Sequence, residues 1–315
     1  MKLIITIPAF NEEESIGKVI GSLPRKLEGV DEIEVLVSSD GSTDSTVEIA
    51  QKAGADKVIH SRMNQGLART FKVTLWEALN MGADIIVNID ADGQYDANEM
   101  QRLIDPIICG EADIVLGSRF SGTIEDMTRS KRVGNKFGTW VIRHVSGVSI
   151  TDSATGYRAF TRHAAMKMNV ISSHTYTQDT IVQAGLKKLK VVEVPISFLK
   201  RDAGSSRLVS SFFNYGSRSG VTTAKYVSLK YLQSLIFILT TISFSVGIIF
   251  GVRVLIQFFS SGTVSPYIPS AILSGFGFIF GLQLLALGMM SGLIIDNRSL
   301  MEDVFYMVKD MKSKK

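Results

Sequence analysis

Through the N-terminal two thirds of the chain, short uninterrupted apolar runs alternate with stretches whose apolar residues recur every three or four positions. Leu3–Ile7, Val35–Val37, Lys57–His60, Ile85–Ile89, Ile114–Gly117 and Val191–Phe198 read as strands. Helical spacing covers Glu12–Leu23, Thr43–Ala53, Leu67–Met81, Ala97–Cys109 and Tyr176–Lys188. Apolar, β-branched runs of this kind suit strands buried on both faces, and their alternation with helices predicts an α/β fold with a mostly parallel sheet.

The pattern changes after residue 230. No charge interrupts Leu235–Val252 or Ile268–Ile295. At 1.5 Å per residue the shorter run already reaches about 27 Å, close to the hydrocarbon thickness of a bilayer. The expectation is two transmembrane helices, about 232–259 and 268–295. They follow a domain over 1–210 and a juxtamembrane segment over 211–231, read as an interfacial or linker helix, and they precede a basic tail over 298–315. Arg218, Lys225 and Lys230 flank the first span, Arg298, Lys309, Lys312, Lys314 and Lys315 follow the second, and Ser260–Tyr267 between them is uncharged. The positive-inside rule then places both termini and the N-terminal domain in the cytoplasm, making a multi-pass protein of the cell membrane. Ser243, Gly247 and Gly251, Gly277 with Gly281, and Gly288 with Gly292 form small faces, which suit close helix contact inside the hairpin or between copies in a homo-oligomer.

Composition narrows the partners. A net charge of +4 over 315 residues, much of it beside the spans, does not suggest nucleic acid. The single cysteine, Cys109, forms no internal disulfide, in keeping with a reducing compartment, and Met1–Pro8 runs directly into a strand pattern rather than a signal peptide.

The candidate chemistry sits where strands end. The run Ile85–Ile89 stops at Asp90-Ala91-Asp92-Gly93-Gln94, and ligands of open α/β sheets bind beyond the carboxyl ends of strands. Two hard oxygen ligands completed by water and phosphate suit Mg²⁺ or Mn²⁺. After Val35–Val37, Asp40 precedes Gly41 and the capping residues Ser42 and Thr43, and its carboxylate can accept hydrogen bonds from a base or ribose. Arg119, Arg129, Lys131, Arg132 and Lys136 form one cationic group, and Lys200, Arg201 and Arg207 a second; the guanidinium fork suits phosphate. Arg119 and Arg201 each follow a strand on the active edge, with Arg132 behind them. The four histidines share no ligand spacing, and Trp76 and Trp140 read as packing residues.

Taken in order, Pro8-Ala9-Phe10-Asn11-Glu12-Glu13, Ser39-Asp40-Gly41-Ser42-Thr43-Asp44, Asn64-x-Gly66, Asp90-Ala91-Asp92-x-Gln94, Gly117-Ser118-Arg119 and Asp152-x-x-Thr155-Gly156-Tyr157-Arg158-Ala159-Phe160 resemble glycosyltransferase family 2 over Lys2–Arg207. The likeness is nearest to its dolichyl- and polyprenyl-phosphate hexosyltransferases, the dolichol-phosphate mannose synthase-like branch. The resemblance implies a GT-A fold, a nucleoside-diphosphate sugar of the UDP-glucose or GDP-mannose type, a divalent metal (Mg²⁺ or Mn²⁺) and inversion at the anomeric carbon. It assigns Pro8, Ala9, Asn11, Glu12, Asp40 and Ala91 to the nucleotide sugar, and Asp90, Asp92 and Gln94 to metal and diphosphate. Arg119, Arg132, Lys136 and Arg201 fall to the acceptor phosphate. The chain departs from the pattern at Ser39, where a second acid is common, and at Asn135-Lys136, where a serine is usual.

The expected function is therefore transfer of a hexose to a polyprenyl (dolichyl or undecaprenyl) phosphate. Such an acceptor is already anionic, with a second pKa near 6, so it needs no base. A transferase acting on a sugar or protein hydroxyl would instead need one, for which Asp152 and Asp179 are the candidates. A non-catalytic nucleotide-sugar-binding membrane protein is the third reading.

Overall fold

The computed structural model describes residues 1–124, 127–170, 175–200 and 212–313; for 212–233 and several positions after 294 only the backbone is described. It divides into two compact units, one of residues 1–224 with 305–315 and one of residues 225–304.

In the first unit the described strands form one sheet. These are β1 (Lys2–Ala9), β2 (Glu32–Ser39), β3 (Lys57–His60), β4 (Ile85–Asn88), β5 (Ile114–Ser118), β6 (Arg158–Thr161) and β7 (Val191–Pro195), in the order β3-β2-β1-β4-β6-β5-β7. All neighbours are parallel except at β6, which runs against both β4 and β5. One face buries Leu3, Ile5, Ile7, Val35, Val37 and Val87 beneath α1 (Ile16–Ser22) and α4 (Met100–Ile108) through Ile16, Val19, Ile20, Leu103 and Ile104. The opposite face carries Ile4, Leu36, Ile86 and Phe160, with Phe71 of α3 (Leu67–Asn80) against Phe160. The central strands are thus covered on both sides, as their continuous apolar sequence requires. The order reverses at β1 and β4, so a crevice forms beyond their carboxyl ends.

Two elements were not evident from periodicity. β6 is only four residues long and opens with a fully buried arginine, Arg158, so it carries no strand signature. Because it runs backwards, its first residues arrive at the same sheet edge as the ends of β4 and β5; Arg158 pairs with Asn88. The cation-rich segment folds as helix α5 (Arg129–Ser146), which buries Thr139, Ile142 and Val145. It packs on α7 (Thr177–Leu186), where Gly185 meets the Ser146 carbonyl without room for a Cβ.

The second unit is formed by the 225–304 portion of two antiparallel helices, α8 (Phe212–Ser261) and α9 (Ile268–Ser313). Ser234–Ser261 and Ile268–Ile294 are long and apolar enough to cross a membrane, and their outward faces expose Phe237, Ile249, Phe276 and Leu293. The small residues serve the contact within this hairpin. Gly277 lies directly on Gly247, Gly281 against Phe244, and Gly288 against Ile236. Ser243 donates to the Gly277 carbonyl (2.8 Å) and Ser274 to that of Gly247 (2.8 Å). At the loop end the Arg253 guanidinium stands 4.5 Å over the Tyr267 ring.

Candidate active site

At the end of β1, Asn11 takes a left-handed conformation (φ 53°) that turns its side chain onto the neighbouring loop. Its backbone N–H donates to Ser42 Oγ (3.0 Å), and its Oδ1 accepts from the Thr43 N–H (2.8 Å). The Glu12 N–H donates to Thr46 Oγ1 (2.8 Å), at the start of helix α2 (Thr46–Lys52). The first two motifs are therefore one bonded unit. Asp40 is buried, and its carboxylate accepts from the Gln65 (2.8 Å) and Gly66 (2.9 Å) N–H groups. Those bonds fold the Asn64-x-Gly66 turn over the second loop. Gly41, at φ +71°, faces the Met63–Asn64 backbone so closely that a Cβ would lie 2.5 Å from the Asn64 nitrogen. At Ser39 the hydroxyl bonds Ser42 Oγ (2.9 Å) and His60 Nδ1 (3.1 Å), a small polar chain in place of a second acid.

Asp90 emerges from β4 two residues beyond the fully buried Asn88, whose amide donates to the Gly156 carbonyl (2.9 Å) and the Tyr176 hydroxyl (2.9 Å). The Gly156 N–H in turn donates to Tyr95 Oη (2.9 Å). Gly156 is held flat against the Asp90 carboxylate; a Cβ there would be 2.7 Å from Asp90 Cγ. Burial, then the nearby Asp92 charge, pushes the Asp90 carboxyl up to about 7, against the pull of Arg119 and Arg158. Asp92 Oδ1 accepts from the Gln94 N–H (3.1 Å), which closes the turn. A buried carboxylate beside a second one, with raised proton affinity, is a cation site in electrostatic terms. Two such oxygens leave the remaining positions of a Mg²⁺ or Mn²⁺ ion to water and phosphate, so the residues fit a divalent ion.

Next to this pair, Arg119 leaves β5 and forms a buried two-pronged ion pair with Asp152: Nε to Oδ2 at 2.7 Å and Nη2 to Oδ1 at 2.9 Å. Its guanidinium also lies 5.1 Å over the Phe198 ring. Among the described residues, its Nη1 makes no hydrogen bond. Glu193 holds the loop that carries Asp152 by accepting from the Thr151 (2.7 Å) and Asp152 (2.9 Å) N–H groups, and burial raises its carboxyl's proton affinity. Arg158 is wholly buried. It is bonded to the Ser153, Thr155 and Thr177 carbonyls and to Thr180 Oγ1, and burial lowers its pKa from the usual guanidinium range.

The structure thus gathers Pro8, Ala9, Asn11, Glu12, Asp40, Asp90, Ala91, Asp92, Gln94, Arg119 and Asp152 along one sheet edge. Arg132 and Lys136 stand exposed on α5, and Lys136 lies 5.8 Å over the ring of Phe120, the residue after Arg119. Arg201 lies outside the described residues. Asp179 is buried in α7 and accepts from the Gln183 amide (2.9 Å). Trp140, expected to be a packing residue, is 56% exposed. Glu193 and Arg158 were not foreseen as site residues. Arg158 lay inside the motif that begins at Asp152, whereas nothing local marks Glu193.

The profile for "Glycosyl transferase family 2" matches residues 4–168. Among curated proteins, the chain is 30% identical over 301 residues to "Glycosyltransferase AglJ" of Haloferax volcanii, covering 92% of this chain and 93% of that protein. It is also 30% identical over 221 residues to "Polyprenol monophosphomannose synthase" of Mycolicibacterium smegmatis, covering 67% and 82%. Among solved structures, glucosyl-3-phosphoglycerate synthase from Mycobacterium tuberculosis, in complex with Mn²⁺, UDP and glucosyl-3-phosphoglycerate, superposes with a TM-score of 0.51 at 23% identity, over 71% of this chain and 78% of that one. The seven-stranded sheet with its single reversed strand is the GT-A fold, and a profile that spans more than half of the sequence places the chain in glycosyl transferase family 2.

Proposed function

We propose that the protein moves a hexose from a nucleoside-diphosphate sugar to a polyprenyl phosphate, inverting the anomeric carbon, with its catalytic unit and both flanks of the hairpin on the cytoplasmic side. The observation that carries this reading is the state of the two acids that a hydroxyl acceptor would need. Asp152 is fully buried in its ion pair with Arg119, and Asp179 is fully buried and bonded to Gln183. Neither is disposed to take a proton from an incoming hydroxyl. A phosphate monoester needs no such base. The relative named for polyprenol mannosylation supports the same acceptor class, and the Mn²⁺–UDP complex of the structural neighbour supports a divalent ion with a nucleoside diphosphate.

The residues divide the work. Asp40 with the loops of Pro8–Glu12 forms the floor for the nucleoside. Asp90 and Asp92 would hold the ion, with Gln94 beside them. When bound, that ion neutralises the diphosphate as it departs, a contribution of several kcal/mol to the barrier. Arg119, fixed by Asp152 through Nε and Nη2, presents Nη1 to the acceptor phosphate. One acceptor oxygen forms the new bond to C1 while the bond from C1 to the diphosphate breaks on the opposite face. Holding two anions in line is the main difficulty, and a buried, oriented guanidinium lessens it. Arg132, Lys136 and Arg201 are the further candidates for the acceptor.

The test is to offer the purified full chain a panel of radiolabelled nucleotide sugars, Mg²⁺ or Mn²⁺ and a short polyprenyl phosphate, with mass spectrometry of the lipid. A mild-acid-labile glycosyl phospholipid is expected. Donor binding without any lipid product, or product on a soluble sugar that is lost in Asp179→Asn, would overturn the assignment.

A further inference from the structure

The sheet face that meets α3 is apolar until its last rung. Ile4, Ile86 and Phe160 lie side by side in β1, β4 and β6, and the next rung toward the site is Thr6, Asn88 and Arg158. Asn88 is inaccessible to solvent, and a buried amide left unbonded costs about 1–3 kcal/mol. Here both ends of the amide are bonded. Its Oδ1 accepts from Thr6 Oγ1 (3.3 Å), and its Nδ2 donates to the Gly156 carbonyl and the Tyr176 hydroxyl. Tyr176 is itself fixed, because its ring stacks on Phe71 at 3.9 Å with the planes 8° apart and the Arg158 guanidinium stands 5.8 Å over it. Turning the Asn88 amide over would set its oxygen against the Gly156 carbonyl, so only one orientation is open to it.

Gly156 is gripped from a second direction. Its N–H donates to Tyr95 Oη (2.9 Å), and the Tyr95 ring is buried between Tyr157 at 5.4 Å and Phe198 at 5.5 Å. The peptide groups before and after Gly156 are therefore each pinned. Between them lies the α-carbon whose bare face abuts the Asp90 carboxylate. Satisfying a buried amide would explain Asn88 alone. It does not explain why a side chain of β4 and one from the turn after Asp92 converge on the single residue packed against Asp90. Mg²⁺ demands near-octahedral placement of its oxygens, so a ligand held in advance binds it better than one that must be ordered on binding.

We propose that Asn88 and Tyr95 are positioning residues for the divalent ion: acting through Gly156, they hold the Asp90 carboxylate in one orientation before the ion arrives. The inference rests on the reading that Asp90 and Asp92 hold such an ion, and is independent of which sugar or acceptor the protein uses.

The fold supplies its own control. Tyr157 is buried beside Tyr95, but among the described residues its hydroxyl makes no hydrogen bond. Tyr95→Phe and Tyr157→Phe thus make the same chemical change in the same core, and only the first releases Gly156. Mn²⁺ is titrated into the purified full chain in detergent, alone and with UDP or GDP present, and free ion is counted by electron paramagnetic resonance. Tyr95→Phe and Asn88→Ala should bind Mn²⁺ about ten- to a hundredfold more weakly than wild type, and excess Mn²⁺ should restore turnover to Tyr95→Phe. Tyr157→Phe should bind as wild type does. Wild-type affinity in Tyr95→Phe would overturn the inference, and so would an equal loss in Tyr157→Phe, which would mark general loosening of the core. Should Asn88→Ala fail to fold, the two phenylalanine variants still decide. A wild-type chain that takes up no Mn²⁺ in either condition would instead remove the ion site itself, and the inference with it.

Discussion

The Arg119–Asp152 pair allows a prediction with a magnitude. Asp152 is inaccessible to solvent and Arg119 nearly so, and they share two charge-assisted bonds of 2.7 and 2.9 Å. Asp152→Asn keeps the shape but removes the charge, and its amide turns a donor toward a guanidinium that has only donors. Removing one partner of a buried pair costs about 3–5 kcal/mol, because the other charge remains buried and uncompensated. A unit of roughly 200 residues shifts its midpoint by about 2–4 °C per kcal/mol, so thermal unfolding of the full chain in detergent should fall by about 6–20 °C. Arg119→Met should cost a similar amount. The double variant Arg119→Met/Asp152→Leu should cost much less than the sum, since no charge is then stranded. Single losses below about 1 kcal/mol, or additive ones, would refute the claim that this pair is a coupled element. Turnover separates the two roles: Asp152→Asn leaves Arg119 present but unaligned, so kcat should fall while donor affinity holds.

Gly156→Ala would push a methyl into the Asp90 carboxylate; lost ion-dependent turnover with the fold retained by circular dichroism is the expected result, and normal turnover would refute the contact. With its carboxyl pushed up to about 7, Asp90 is ionised in the unfolded chain but not in the folded one between about pH 4 and 7, so ion-free stability should fall as pH rises through that window. Over the same window ion affinity should rise, since binding displaces the proton, and Asp90→Asn should abolish both trends in calorimetry. Gly41→Ala, at φ +71° against the Met63–Asn64 backbone, should destabilise by at least about 1 kcal/mol and raise the donor KM by loosening the turn that Asp40 holds. In the hairpin, Gly277→Leu should separate the helices, measurable as lost cross-linking between cysteines placed at 251 and 274, whereas Ser243→Ala should cost only about 0.6 kcal/mol.

What could be read from sequence was what local spacing encodes. The strands β1, β2 and β4 announced themselves because both of their faces are buried, and the acids at their ends marked the active edge before any coordinates. The small residues of the spans were legible as contact faces, but only the packing of Gly247 on Gly277 decided between hairpin and homo-oligomer for that face. β6 escaped because its first residue is a buried arginine, and burial of that cation is justified by four acceptors, two of them from α7. The partnership of Arg119 with Asp152 spans 33 residues, so spacing could mark Arg119 as a phosphate ligand without revealing that two of its prongs were already taken. Trp140 was misassigned for a related reason: α5 is apolar on two sides, and sequence does not say which side meets the sheet unit.

The charges around Asp90 bear on the proposed pairing of a divalent ion with a phosphate acceptor. Among the described residues, Asp90, Asp92, Asp152 and Glu12 oppose Arg119 and Arg158, an excess of two negative charges when all are ionised. Burial and the Asp92 charge favour the protonated form of Asp90, which is the physical content of its raised pKa. A divalent cation held by Asp90 and Asp92 would balance the two charges and favour the ionised carboxylate. The donor diphosphate then brings the negative charge back, now on atoms that leave. A neutral hydroxyl would enter such a site with nothing to take its proton, because the remaining acids are bonded. An anionic phosphate would enter against repulsion instead, which the Arg119 Nη1 group, as proposed, would offset. The proposed acceptor class rests on where positive charge remains available after the acids have been satisfied.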